Sequence, residues 1–167
     1  MDHLKKHFPL TTKEGTTLDY LSYRITQSSA FISLDQTPYI LSFARAYFKI
    51  IKFTKTDTPF RTDRQVEEEI INDSVCDPVE LRTLVERYGE FQSNYGTVLH
   101  CSVNSRPYCS YPMASLGHFI NILCLLGYLF MHKVMCYLHS HPNKPLIFPK
   151  QHASSTRSLR IHRSANE

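Results

Sequence analysis

Five cysteines and nine histidines are the side chains of this sequence best suited to hold a metal or activate a nucleophile. His139 and His141, with Cys136 or Cys101, offer imidazole and thiolate donors for zinc, yet no pair among them keeps the spacing of a known ligand motif. These histidines read instead as solvated residues opening a tail. The cysteines (Cys76, Cys101, Cys109, Cys124, Cys136) are odd in number and lack a C-x-x-C pair. The first eight residues are charged where a secretory leader would be apolar, so a reducing compartment and free thiols are expected. No G-x-S-x-G elbow, phosphate-binding loop or paired-carboxylate constellation is visible. The expectation is a protein that is not an enzyme and carries neither metal nor organic cofactor.

The elements behind these residues are expected to be helical. With 167 residues and 42% hydrophobic content, the chain can build one core. Its net charge of +4, gathered towards the C-terminus, is too mild to indicate a nucleic-acid partner. Five glycines over the whole length leave few tight turns, which favours helix over sheet. Thr16 to Gln27 is read as a first helix, with Leu18, Leu21 and Ile25 on one stripe and Thr16 and Asp19 at its start. A second begins at Thr37-Pro38 and carries Ile40, Ala44, Tyr47, Phe48 and Ile51 on one side. Its cationic side, Arg45, Lys49 and Lys52, is either a solvated face or a membrane-surface contact. Phe53 to Asp63 reads as a linker, and a short acidic segment follows it.

Asp77, Pro78 and Glu80 form a helix start, and Leu81, Leu84, Val85 and Tyr88 make the best amphipathic stripe, continued by Phe91, Tyr95 and Val98. His100 to Pro112 reads as a loop. Met113 to Leu138 is the most apolar segment and is expected to be one buried central helix. An alternative makes residues 113–131 a single membrane span, with His118 and Asn121 inside it. The expected organisation is a helical domain over residues 1–139 and a disordered basic tail over 140–167.

Three segments, in order, carry a family resemblance. Leu18 to Gln27 (LDYLSYRITQ) resembles the fourth homology motif of pro-survival members of the Bcl-2 family of apoptosis regulators. Leu81 to Tyr88 (LRTLVERY) is similar to the third motif, with Val85 at the family's glycine and Glu86 at its aspartate. A rival register aligns Glu90, Phe91 and Tyr95 with the residues after that motif and puts Leu84 at the key leucine. Ser115 to Ile120 with Leu126-Gly127 looks like the first motif, with Leu116 at the tryptophan position and His118 at the arginine position. The second motif and the C-terminal anchor have no counterpart, which suggests a truncated or alternatively spliced form.

The resemblance implies an all-α, incomplete Bcl-2-like bundle around a central hydrophobic helix, with a groove that binds amphipathic helices of pro-apoptotic relatives. Leu81, Leu84, Tyr88, Phe91, Leu116, Gly117, His118, Phe119 and Ile122 would line that groove. Leu18, Asp19, Tyr20, Leu21, Tyr23 and Ile25 would form the packing helix. His118, a weaker and pH-dependent partner for a carboxylate than arginine, would lower affinity for the ligand's aspartate. Apolar surface left on Phe119 to Met131 would favour homo- or heterodimers, or peripheral membrane contact, with the chain in the cytoplasm or on the mitochondrial or endoplasmic-reticulum surface. Pro-survival and antagonistic action both stay open.

Overall fold

The computed structural model of this protein describes residues 16–59, 65–73 and 75–150. Four strands and six α-helices follow in the order β1 (Thr17–Tyr20), β2 (Tyr23–Gln27), β3 (Phe31–Asp35), α1 (Thr37–Tyr47), α2 (Gln65–Asn72), α3 (Pro78–Tyr88), α4 (Phe91–Asn104), α5 (Ser110–Gly117), α6 (Leu125–Ser140) and β4 (Leu146–Pro149). A 3-10 turn, Pro107–Cys109, joins α4 to α5.

The strands form one antiparallel sheet in the order β1-β2-β3-β4, so the expectation of an all-α fold is wrong. The first helix expected from the sequence, with Leu18, Asp19, Tyr20, Leu21, Tyr23 and Ile25, is a β-hairpin. Leu18 pairs with Ile25, Asp19 with Arg24 and Tyr20 with Tyr23 across it. A separation of seven residues puts Leu18 and Ile25 on one side of a helix, but it also makes them partners across a two-residue turn. Leu21 distinguishes the two: it lies in the turn with φ 51° and its side chain 82% exposed. The Thr, Tyr and Ile residues of this stretch suit a half-buried pleated surface better than a helix. An apolar row, Leu18, Ile25, Leu34 and Leu146, then crosses all four strands.

β4 overturns a second expectation, because residues 146–149 of the expected tail are an edge strand paired with β3. Pro142 fastens the approach to it: its carbonyl accepts from Thr37 Oγ1 at 2.7 Å and from Arg106 Nη2. Arg106 itself is fully buried. The tail beyond Lys150 lies outside the described residues.

α6 is the centre of the helical layer and touches each of the other five helices. Tyr128, Met131, Val134, Met135 and Leu138 on it are almost wholly buried. The single helix expected over residues 113–138 is in fact two, α5 and α6, separated by a turn at residues 118–124. That break is made from outside the segment: Val75 bridges Cys124, Cys76 N–H donates to the Leu123 carbonyl at 3.0 Å, and Leu126 N–H donates to Asp73 Oδ2 at 2.9 Å. No helix among the described residues is long and apolar enough to cross a membrane.

α3 begins as the sequence predicts, with a reciprocal box in which Asp77 accepts from Val79 and Glu80 N–H while Glu80 accepts from Asp77 N–H. It stops earlier than its stripe suggests. Gly89 turns the chain at φ 77°, and Asn94 Nδ2 donates to the Tyr88 carbonyl at 2.7 Å, satisfying a helix-end acceptor. Much of the expected loop from His100 to Pro112 is helical as well. The sheet is tied to α4 by a polar chain: Ser22 Oγ lies 2.6 Å from His100 Nε2, Gln36 Nε2 donates to Ser22 Oγ, and Ser105 Oγ donates to Gln36 Oε1. Gln36 is fully buried, so this chain supplies partners that a buried amide requires.

Candidate functional site

The residues expected to line a groove fall into three groups. Leu84, Tyr88, Phe91, Leu116 and Phe119 are buried in the core, and Leu81 is packed against it. Gly117 lies under Tyr95, where a side chain would collide with the phenol oxygen. His118 and Ile122 are exposed, at the turn between α5 and α6. Burial follows from the amphipathic stripe itself: the face that gave the groove expectation is the face α3 and α4 turn towards α6. Tyr88 and Phe91 meet Tyr128 of α6 at ring-centroid distances of 5.9 and 5.3 Å.

An open cleft does exist, one step round the surface. It holds about 360 Å³ between the start of α3, the segment before it and the first turn of α6, and is lined by Asp73, Cys76, Glu80, Thr83, Leu84 and Leu125. Leu84 is the one residue of the expected groove set that reaches it. A second, shallower hollow of about 540 Å³ shares Asp73 and adds Glu68, Glu69, Asn72 and Leu126. Val75, Val79, Ile122 and Leu125 are exposed apolar residues along the same stretch of surface, placed there by the Val75–Cys124 bridge and the Asp77 cap.

Charge gives this surface a sign. Glu68, Glu69, Asp73 and Glu80 line the two hollows. The Cys76 thiol between them is held above its ordinary pKa, first by burial and then by the nearby Glu80 and Asp73 carboxylates. It is therefore protonated at neutral pH. An apolar floor with an acidic rim suits an amphipathic segment bearing Lys or Arg beside its apolar anchors.

The histidines of the imagined zinc site are not tail residues. His139 sits in the last turn of α6 with its ring 4.7 Å from that of Phe53, and His141 stacks on Tyr137. Among the described residues no three His, Cys, Asp or Glu side chains converge as metal ligands would. Sequence reasoning missed the acidic cleft because Glu68, Glu69 and Asp73 precede α3 and meet α6 only in the folded chain. The visible signal was the run of three glutamates before Ile70. Searches against family models, curated proteins and solved structures returned no match for this chain.

Proposed function

We propose that this protein acts by protein–protein interaction, seating an amphipathic helix with basic flanks in the cleft between α3 and the start of α6. The observation that carries this reading is the cleft of about 360 Å³ with Leu84 and Leu125 on its floor and Asp73 and Glu80 at its edge. Helix-in-groove recognition needs this combination: spaced apolar anchors supply affinity, and the charged rim sets orientation and excludes wrong partners. In the form suggested by the Bcl-2 resemblance, the chain regulates apoptosis and the helix belongs to a pro-apoptotic relative. Support for that form is the order of the third-motif-like and first-motif-like segments, which contribute α3, α5 and the first turn of α6. The hairpin at Leu18 to Gln27 removes the packing helix from the comparison, and the rim reverses the charge expected of a site that pairs with a ligand aspartate.

The test is a fluorescence-anisotropy titration with pro-apoptotic motif peptides and with designed helices whose flanks are either Lys-rich or Glu-rich. Micromolar binding of Lys-flanked helices, weakened by salt and lost in Leu125→Glu, is expected. Equal binding of Glu-flanked helices, or no binding at several hundred micromolar, would defeat the reading. Capture of the pro-apoptotic peptides decides whether apoptosis is the setting.

A further inference from the structure

Further along α6 lies another cleft, of about 300 Å³, lined by Thr54, Lys55, Thr56, His132, Lys133 and Cys136. His132 and Cys136 stand one helical turn apart on α6, a spacing that stacks their side chains on one face. Cys136 Sγ lies 3.5 Å from His132 Nε2, and the other ring nitrogen, Nδ1, lies 3.1 Å from the Tyr47 hydroxyl. The three groups thus form a thiol, a base beside it and a third group that orients the base. Phe48 and Tyr88 enclose the imidazole with ring centroids 6.1 and 5.7 Å away.

We infer that Cys136 is a modification site at which the thiol exchanges with small anionic disulfides of the oxidised-glutathione class. The cleft carries cations that would attract the carboxylates of such a disulfide: Lys55 and Lys133 line it, and Arg87 acts on His132 from α3. Asp57, the nearest acid in sequence, faces His141 at 3.9 Å. Burial, followed by Arg87, holds the imidazole below its ordinary pKa, which keeps it neutral and able to accept a proton. Burial holds the Cys136 thiol above its ordinary pKa, and the Thr54 backbone N–H offsets part of that rise.

In the exchange the Cys136 proton passes to His132 Nε2, and the thiolate attacks one sulfur of the ligand. A new S–S bond forms at Cys136 while the ligand's own S–S bond breaks. The departing thiolate takes the proton back from His132, so one thiol is consumed and one released.

The remaining cysteines provide an internal contrast. Cys101, Cys109 and Cys124 are fully buried, whereas Cys76 lies in the acidic cleft beside Glu80 and Asp73. An anionic disulfide is repelled there and attracted at Cys136; a dicationic one experiences the reverse. This separates the inference from simple accessibility, since Cys136 is only 3% exposed and Cys76 is the more open of the two.

The experiment is peptide mapping by mass spectrometry after timed exposure of the folded full-length chain to oxidised glutathione or to cystamine. Oxidised glutathione is expected to modify Cys136 at least tenfold faster than Cys76, and cystamine to prefer Cys76. Lys55→Glu combined with Lys133→Glu should slow the glutathione reaction at Cys136 about tenfold without slowing cystamine there. His132→Gln should slow both reagents at Cys136. Circular dichroism checks that each variant is folded, and the surface lysine pair serves if His132→Gln does not fold. Faster glutathione uptake at Cys76, no adduct at Cys136 in the folded chain, or indifference to the lysine reversal would each overturn the inference.

Discussion

Gly117 carries a hydrogen where any other residue would place a carbon 2.6 Å from the Tyr95 hydroxyl oxygen. That hydroxyl donates to the Met113 carbonyl at 3.0 Å, so the phenol cannot move aside without losing its partner. Gly117→Ala is expected to cost about 1–3 kcal/mol, as overpacking of a filled site does. Urea denaturation of Gly117→Ala, Tyr95→Phe and the double variant would show whether removing the hydroxyl recovers part of that loss; no coupling between the two positions would contradict the contact. The glycine that sequence resemblance made a groove residue is thus explained by a phenol in the preceding helix, α4. Val85, by contrast, stands at the family's small position and is packed against the core, so the third-motif resemblance at that residue is one of order along the chain and not of size.

At the scale of elements, the Leu18–Gln27 hairpin provides the clearest divergence between a helical and a strand reading, because one substitution has opposite signs in the two. Leu21 occupies a left-handed turn position and its side chain is exposed, so Leu21→Gly relieves backbone strain and sacrifices little packing. Stabilisation of up to about 1 kcal/mol is expected, measured by urea denaturation. In a helix the same change would cost roughly 1 kcal/mol. Strand β4 was hidden for a related reason. Leu146 to Pro149 is a short apolar run among Pro, Lys and His, and a four-residue edge strand has too little local signal to stand out from a tail. Its partner, β3, lies more than a hundred residues earlier, so only long-range pairing reveals it. The start of α3 was legible for the opposite reason: Asp77, Pro78 and Glu80 satisfy each other within one turn.

At the scale of the whole molecule, burial keeps thiols in the core neutral, and this predicts how stability varies with pH. The Cys101 and Cys109 thiols are both fully buried, and burial above all pushes each from an ordinary value near 9 to about 12. A folded-state pKa above the unfolded one means that the unfolded chain loses its protons first. The stabilisation is therefore complete below pH 9 and declines as pH rises towards 12. Within that window each thiol should add a slope of about 1.4 kcal/mol per pH unit. Urea midpoints at pH 8 to 10.5 should fall less steeply for Cys101→Ala combined with Cys109→Ala than for the unaltered chain. Equal slopes would show that these thiols are not the groups responsible. His132 acts at the other end: its lowered pKa removes stability as pH falls below the ordinary histidine range.

By itself the sequence determined what neighbouring residues can settle among themselves: the Asp77 cap and the amphipathic stripe of α3, and the apolar character of the segment that holds α6. Tertiary structure decided what depends on distant partners. It made Leu18 and Ile25 a cross-strand pair instead of a helical stripe, and it broke the run from Met113 to Leu138 by setting Asp73, Val75 and Cys76 against its middle. It also turned Leu84, Tyr88, Phe91, Leu116 and Phe119 of the expected groove inward and gathered Asp73, Glu80 and Leu125 into an open cleft. The physical reason is that a spacing of seven residues, or a run of apolar side chains, fits more than one backbone path, and the choice falls to contacts that close only when the whole core assembles.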